Sequence, residues 1–340
     1  MRIRKIPEPK EEFVKRIEKL LPEKEDRENY WKILKVELKN SIRVNTLKIT
    51  PAELVKKLEN YCWKIKIPWK NFPEILVVEG KTPTGKEGEI LIEGNLAKLE
   101  PGELGRALEH LLGYYYIQEI SSMLPVIALE PTENDVYLDL CASPGSKTTQ
   151  AAAKMKNSGT IIANEISLGR MRILASNLER CGVTNTIITR KDGRDFCRRL
   201  NENKIQFDKI LVDAPCSGEG TLRSSLKTYL MWNPKTIKSL SSLQKQLLKN
   251  AFLCLKVGGE LVYSTCTHAP EENEEVVDFL LNEFPDKVEV VNFELPLKTR
   301  QGITKWNEKK YSDEVKKTKR VYPQDNDTEG FFVSKFRRVK

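Results

Sequence analysis

The stretch "LDLCASPGSKTTQAAAKM", Leu138 to Met155, decides the fold. An apolar run ends in an acid, turns through Pro144 and Gly145, and enters a helically spaced segment whose early residues include Lys147, Thr148 and Thr149. A strand that turns this tightly into a helix offers free backbone N–H groups to a ligand. Dinucleotide folds place G-x-G-x-x-G at this point; here Gly145 stands alone, which fits a smaller, phosphate-free adenosine cofactor better than a pyrophosphate. The competing reading is that Pro144 and Gly145 only shape the turn.

Working outward, strand-like runs alternate with helical ones: 135–141 "DVYLDLC", 159–166 "GTIIANEI", 185–192 "NTIITRKD", 208–216 "DKILVDAPC" and 259–267 "GELVYSTCT". Such alternation predicts an α/β fold with a doubly wound, mostly parallel, Rossmann-like sheet over residues 111–340. After it come a helix at 270–284, a strand at 287–293, a basic segment from Lys298 to Arg320 and a last strand at 330–336. Upstream, residues 11–38 read as two short amphipathic helices within an N-terminal helical segment, 1–40. Residues 41–110 read as a smaller α/β unit, with strands at 41–49 and 74–80 around a helix that Thr50 caps and Pro51 begins.

The chain has 340 residues, with 57 Lys and Arg against 48 Asp and Glu, a net charge of +9. A polyanionic partner such as nucleic acid fits this balance, and so does a lysine-rich solvated surface. No apolar run approaches the roughly 18 residues of a membrane span, and the start resembles no signal peptide, so a cytoplasmic protein without a membrane partner is expected. Seven cysteines with no CxxC pair, and two histidines, support neither a disulfide framework nor a metal site.

The next strand ends at Glu165, about 20 residues after Gly145, the spacing at which an acid grips ribose hydroxyls. The third ends at Asp192, where a carboxylate can accept from an adenine amino group. One loop glycine and repeated strand-end acids point to S-adenosylmethionine.

Cys216 and Cys266 each fall just after a predicted strand, on the side where a parallel sheet binds ligands. Cys141, Cys181, Cys197 and Cys254 lie in or beside core elements, where cysteine acts as a small hydrophobe. A thiol beside a methyl donor suits a pyrimidine, because C5 of cytosine or uracil is a poor nucleophile until a thiolate adds at C6. Asp213, three residues before Cys216, is placed to hold the protonated ring nitrogen and the exocyclic amine. The residues alone leave open which thiol attacks.

Six motifs now stand in order: "LDLCASPGSKTT", "ANEISLGRMRILASNLERCG", "KDGRDF", "VDAPCSGEGTLR", "LVYSTCTHAPEENEEVV" and "YPQDNDTEGFFVSKF". Together they resemble the RNA 5-methylcytosine methyltransferases of the Nol1/Nop2/Sun family. "SIRVNTLKIT" looks like that family's RRM-like RNA-binding subdomain. The resemblance implies a class I S-adenosylmethionine-dependent methyltransferase fold. Cys141, Ala142, Ser143, Pro144, Gly145, Ser146 and Lys147 would embrace the methionine and ribose parts of the cofactor. Glu165 would sit on the ribose, Asp192 and Gly193 near the adenine, Arg170 near the cofactor, and Asp213 between cofactor and base with Lys147 orienting it. It also implies that Cys266 of "STCT" is the nucleophile, while Cys216 of the "PC" pair assists release of the product. Ser143 and Ser146 stand where many members have Ala and Gly, and Glu165 where many have Asp.

The substrate this implies is RNA, tRNA first because the compact form resembles archaeal tRNA members, with rRNA as runner-up; a monomer is expected. The target base must be flipped out or unpaired. The Lys298–Arg320 segment, with Trp306 and Tyr311 interleaved, could grip RNA or be a flexible basic loop; Arg43 and the lysines of the first unit are comparable candidates. "YYYIQE", Tyr114 to Glu119, reads as packing at the junction of the units. His268 reads as structural or solvent-facing, and Phe331 and Phe332 as a buried strand, although the family places an aromatic of that motif near the base. A nicotinamide dehydrogenase, a silent RNA-binding scaffold and a DNA methyltransferase are the competing classes. The two strand-end thiols and the order of the motifs disfavour them.

Overall fold

A computed structural model describes residues 7–83, 96–225 and 227–340. Two helices open the chain, α1 (Glu11–Leu20) and α2 (Lys24–Leu34). Their apolar stripes, Phe13, Ile17 and Leu20 on the first and Tyr30 and Leu34 on the second, share one core with Phe252, Leu261 and Phe336. Arg16 fastens the contact through two hydrogen bonds to Glu271, at 2.9 and 2.8 Å. The described part of the 1–40 segment is therefore packed into the large core.

The smaller unit is a four-stranded antiparallel sheet in the order β2-β3-β1-β4, built from β1 (Asn40–Val44), β2 (Trp63–Lys66), β3 (Ile75–Lys81) and β4 (Tyr115–Ile117). Helix α3 (Pro51–Glu59) starts on a reciprocal cap: the Thr50 hydroxyl accepts the Glu53 N–H, and the Glu53 carboxylate accepts the Thr50 N–H. Its Leu54 and Leu58 cover Ile42, Val44, Leu76 and Val78. Strand β4 lies beyond the boundary drawn at residue 110, so Tyr115 of "YYYIQE" is a core residue of the small sheet. Residues 84–95 of the 41–110 unit lie outside the described residues.

Arg43 is no phosphate contact. It is 3% exposed, and its guanidinium donates to the Ser146 carbonyl and the Thr149 hydroxyl, both at 2.7 Å, and to the Gln118 side chain. The residue that the sequence offers as one candidate phosphate contact instead ties the small sheet to the turn at Gly145.

Short helices α4 (Glu103–Arg106), α5 (Leu108–Leu111) and α6 (Leu124–Leu129) lead into the main sheet. Strands β5 (Val136–Asp139), β6 (Thr160–Asn164), β7 (Thr186–Thr189), β8 (Phe207–Asp213) and β9 (Leu255–Thr265) pair in parallel, in the order β9-β8-β5-β6-β7. Between them run α7 (Ser146–Lys154), α8 (Leu168–Cys181), α9 (Gly193–Glu202), α10 (Lys227–Met231) and α11 (Pro234–Leu253). Alternate residues serve opposite faces: Leu138, Ile210 and Val212 enter one core cluster, while Tyr137 and Leu211 enter another.

After α12 (Glu274–Glu283) come β10 (Val288–Val290), β11 (Arg300–Gln301), the ribbon β12 (Lys305–Trp306) and β13 (Lys309–Lys310), then β14 (Lys319–Val321) and β15 (Phe331–Arg338). Strand β15 runs antiparallel beside β9, followed outward by β14 and β11. The strand order turns back at β5 and β8, which opens a crevice at their carboxyl ends.

The Lys298–Arg320 segment departs from both sequence-level readings. Trp306 and Tyr311 are buried in the main core, so neither ring is free to stack on a base. The Trp306 indole donates to Glu271 at 2.9 Å, and Arg320 is 2% exposed against Glu274. His268 is buried rather than solvent-facing; it stacks on Tyr322 with ring centres 4.9 Å apart, and burial, then Arg320 and Arg300, draw it down to about 3. Among the described residues no helix is long and apolar enough to cross a membrane, and no group of three His, Cys, Asp or Glu is arranged to hold a metal ion.

Candidate active site

Glu165, Asp192 and Asp213 at the ends of three strands all reach the crevice, whereas Asp139 at the end of β5 does not line it. A cavity of about 410 Å³ is lined by Cys141 and Ser143 after β5, Glu165 after β6, Asp192 and Gly193 after β7, Asp213 and Cys216 after β8, and Cys266 after β9. Arg170 on α8, Leu243 and Leu247 on α11, and Asn164, Lys191 and Arg194 are also in the wall. The turn that feeds it requires a glycine: Gly145 has φ +102°, and a Cβ there would lie 3.0 Å from Leu174 Cδ1. Ala142 packs with Ala163, Leu174 and Leu178, while the carbonyls of Pro144 and Ser146 accept from Asn177 and Arg43. Ala142, Pro144, Gly145, Ser146 and Lys147 thus shape the wall from behind and do not line the cavity.

Glu165 is 3% exposed; one oxygen accepts the Ser167 N–H at 2.8 Å and the other lies 3.5 Å from Arg170. Arg170 also donates to the Ser143 carbonyl at 2.7 Å, so it joins the first strand end to the second. Asp192 caps α9, and hydrogen bonds from Arg194 hold its carboxyl below the ordinary range.

At the other end of the cavity Lys147 Nζ lies 2.7 Å from Asp213 Oδ2, and the Ser264 hydroxyl donates to Asp213 Oδ1 at 2.7 Å. Lys147 also donates to the Ser122 hydroxyl at 3.0 Å and sits 5.6 Å from the centre of the Phe331 ring. Asp213 is therefore held from both oxygens. Cys216 Sγ and Cys266 Sγ are 3.2 Å apart, both thiols are free, and both residues are partly exposed. The hydrogen bond to Cys266, then burial and the charges of Cys266 and Glu272, push Cys216 well above the usual thiol range.

Two free thiols 3.2 Å apart and a fixed Lys–Asp pair thus stand together beside a cavity at the carboxyl ends of the parallel strands. Residues 126–337 match the family described as 16S rRNA methyltransferase RsmB/F. The chain belongs to that family, the Nol1/Nop2/Sun RNA 5-methylcytosine methyltransferases.

Among its relatives is a tRNA (cytosine(49)-C(5))-methyltransferase of Pyrococcus abyssi, 44% identical over 97% of this chain and 99% of its own. A ribosomal RNA small subunit methyltransferase F of Pectobacterium carotovorum is 39% identical over 96% of this chain, which spans 62% of that protein. The crystal structure of NSun6 from Pyrococcus horikoshii with SFG superposes with a TM-score of 0.80, at 27% identity, over 97% of this chain and 98% of that one. A methyltransferase homolog from the same organism gives a TM-score of 0.74 at 31% identity, covering 97% and 99%.

The cofactor of this Nol1/Nop2/Sun member is S-adenosylmethionine. The cavity fits it: buried Glu165 and partly exposed Asp192 offer carboxylates, apolar Leu243 and Leu247 line the wall, and Asp213 and Cys266 line it as well. When bound, it supplies a methyl group on a positively charged sulfur.

Sequence reading missed several residues of the site. Asp139 is 1% exposed and takes the Thr148 hydroxyl at 2.7 Å, and burial raises it to about 7. Asn164 joins three strand ends, donating to the carbonyls of Leu140 and Lys191 and accepting from the Thr189 hydroxyl and the Lys191 N–H. Ser122 and Ser264 hold Lys147 and Asp213. Their one sequence signal is a small hydroxyl residue in an otherwise apolar stretch. Glycine at 330 has a structural reason: a Cβ would lie 2.2 Å from the His268 ring, where the Gly330 N–H donates to the Gly220 carbonyl and the Gly220 N–H to the Cys266 carbonyl.

Proposed function

We propose that this chain methylates C5 of cytosine in tRNA through a covalent adduct between Cys266 and C6. The observation that carries the reading is the 3.2 Å approach of two free thiols beside Asp213, itself held by Lys147 and Ser264. The Cys266 thiolate adds to C6, and the displaced electron pair makes C5 a nucleophile. Asp213 hydrogen-bonds the protonated N3 and the exocyclic amine, which stabilises the adduct. C5 takes the methyl group, a base removes the C5 proton, and the freed pair re-forms the C5–C6 double bond and expels the Cys266 thiolate, a release that Cys216 assists.

The tRNA substrate is supported by the Pyrococcus abyssi relative, whose length this chain matches nearly throughout, and cytosine 49 is the first position to test. Ribosomal RNA is the second reading, favoured by the methyltransferase F relatives, of which this chain spans about three fifths. Phosphate contacts fall to exposed lysines, Lys56, Lys57, Lys64 and Lys66 on the small unit and Lys305, Lys309 and Lys310 on the ribbon. The RRM-like unit and the catalytic sheet would thus flank the RNA.

The test is a pair of substitutions. Cys216→Ala is expected to accumulate a denaturant-resistant protein–RNA adduct that carries the methyl group, and Cys266→Ala to form none. An adduct that survives loss of Cys266 but not of Cys216 reverses the roles. Bisulfite sequencing of tRNA and rRNA from a deletion strain identifies the substrate.

A further inference from the structure

Glu272 follows Cys266 by six residues and takes no part in the reaction just described. Its side chain is fully buried, at 0% exposure, and held on one side only. Oε2 accepts the Ser217 N–H at 3.0 Å and the Gln244 Nε2 at 2.8 Å, while Oε1 has no hydrogen-bond partner among the described residues. The same Gln244 Nε2 donates to the Pro215 carbonyl at 2.8 Å. Both neighbours of Cys216 are thus gripped by one Gln–Glu unit. On the far side of the turn the Ser217 hydroxyl meets the Thr267 hydroxyl at 2.8 Å, next to Cys266. The backbone of Glu272 is fixed in turn, since the Tyr263 hydroxyl donates to its carbonyl at 2.6 Å.

An unpaired, fully buried carboxylate is costly, and a structural clamp alone could be built from neutral groups. We propose that Glu272 is the positioning residue of the thiol pair: it fixes the Pro215–Ser217 turn so that Cys216 faces Cys266, and its buried carboxylate disfavours a second negative charge on Cys216. The assignment of roles rests on the covalent reading above.

The charged and titratable groups around Glu272 act in the same sense or against it by known signs. Burial, helped by the neighbouring Glu219 and opposed by the Ser217 and Gln244 hydrogen bonds, raises Glu272 to about 7. Arg16 of α1, 3.6 Å from Glu219, draws on both carboxylates. Glu272 also raises Cys216 and the Tyr263 hydroxyl. At pH 8 and above the carboxylate is charged and the bias on Cys216 is complete.

Alkylation by iodoacetamide, read at each cysteine by mass spectrometry in the folded full-length chain between pH 6.5 and 9.5, tests this without RNA or cofactor. The proposal expects Cys266 to react faster than Cys216 in the parent. In Glu272→Gln the Cys216 rate at pH 8.5 should rise about tenfold, the effect of one pK unit, with Cys266 changed less than about twofold. An unchanged Cys216, or an equal rise at both cysteines, overturns it. Should Glu272→Gln fail to fold, Glu272→Asp decides. It keeps a carboxylate at 272 and must leave Cys216 slow; a tenfold rise overturns the proposal. Methyl transfer by a Cys266→Ala variant would defeat the covalent reading and leave the alkylation result standing, so the two failures are distinguishable.

Discussion

Replacing Arg320 by Met tests whether the basic segment is a buried strut or an RNA contact. The guanidinium Nε and Nη2 donate to the two oxygens of Glu274, each at 2.6 Å, and Nη1 donates to the His268 carbonyl at 3.0 Å and the Tyr322 hydroxyl at 3.2 Å. Arg320 is 2% exposed and Glu274 is 0% exposed. Without the arginine, Glu274 keeps, among the described residues, only the Ile303 N–H at 3.0 Å. Stranding one partner of a buried ion pair costs about 3–5 kcal/mol. In a chain of this size about 2 °C accompanies each kcal/mol, so the thermal midpoint followed by circular dichroism should fall by roughly 5–10 °C. Arg320→Met combined with Glu274→Met should recover at least about half of the loss, because no charge is then stranded. The salt dependence of RNA binding should keep its slope. A midpoint within about 2 °C of the parent, or a slope smaller by about one phosphate contact, would refute the reasoning.

Lys147→Met should lower single-turnover methyl transfer by about 10²–10³-fold, since the 2.7 Å contact to Asp213 is lost where charge develops on the base; a loss under about fivefold would place Lys147 outside the reaction. Glu329 is 4% exposed, and burial raises it from 4.5 to about 7, so its contribution to stability is complete below pH 4.5 and is lost as the pH rises through 7. Glu329→Gln, which keeps an acceptor for the Ser224 N–H, should therefore stabilise the chain by up to ~3 kcal/mol at pH 8.5 and have little effect at pH 4.5, as urea unfolding at the two pH values would show. Replacing Lys305, Lys309 and Lys310 together by Gln should weaken RNA binding and reduce the salt slope by about two to three contacts, and an unchanged slope would remove the ribbon from the RNA surface.

The main sheet was legible because each parallel strand is an apolar run closed by polar residues, and most of the residues at or just beyond those ends line the cavity. Glu165, Asp192, Asp213, Cys216 and Cys266 needed no tertiary information beyond the rule that ligands sit at carboxyl ends of strands. Arg43 could not be read this way. In sequence it alternates with Ile42 and Val44 like a polar residue on a solvated face, yet that face packs on the turn at Ser146. Trp306, Tyr311 and Arg320 misled for a related reason: a charged, aromatic-interleaved run looks like an RNA grip whenever its partners, Glu271 and Glu274, are distant in the chain. The core shared by α1, α2 and the carboxyl-terminal strands is a long-range contact with no local signature. Ser264 escaped because a single hydroxyl after an apolar run has no periodicity to betray it, and Glu272 because it is one of several acids in "PEENEE", which reads as a solvated helix start.

The meeting of the two thiols follows from strand register. Strands β8 and β9 pair in parallel with Asp213 opposite Ser264, so the Ser264 hydroxyl reaches Asp213 at once. Cys216 lies three residues beyond the first and Cys266 two beyond the second, in adjacent loops that leave the sheet together. Both loops are then pinned across the gap, by the Gly220 N–H on the Cys266 carbonyl and by the Ser217 and Thr267 hydroxyls on each other. A one-residue insertion between Asp213 and Cys216 would shift the thiol by about 3.3 Å of extended chain, as far as the present separation of the sulfurs. The spacing D-x-x-C against S-x-C is thus itself a geometric requirement of the thiol pair. It also explains why the acid, both sulfurs and the glycines that let the loops approach are confined to the short segments 213–220, 264–267 and 330.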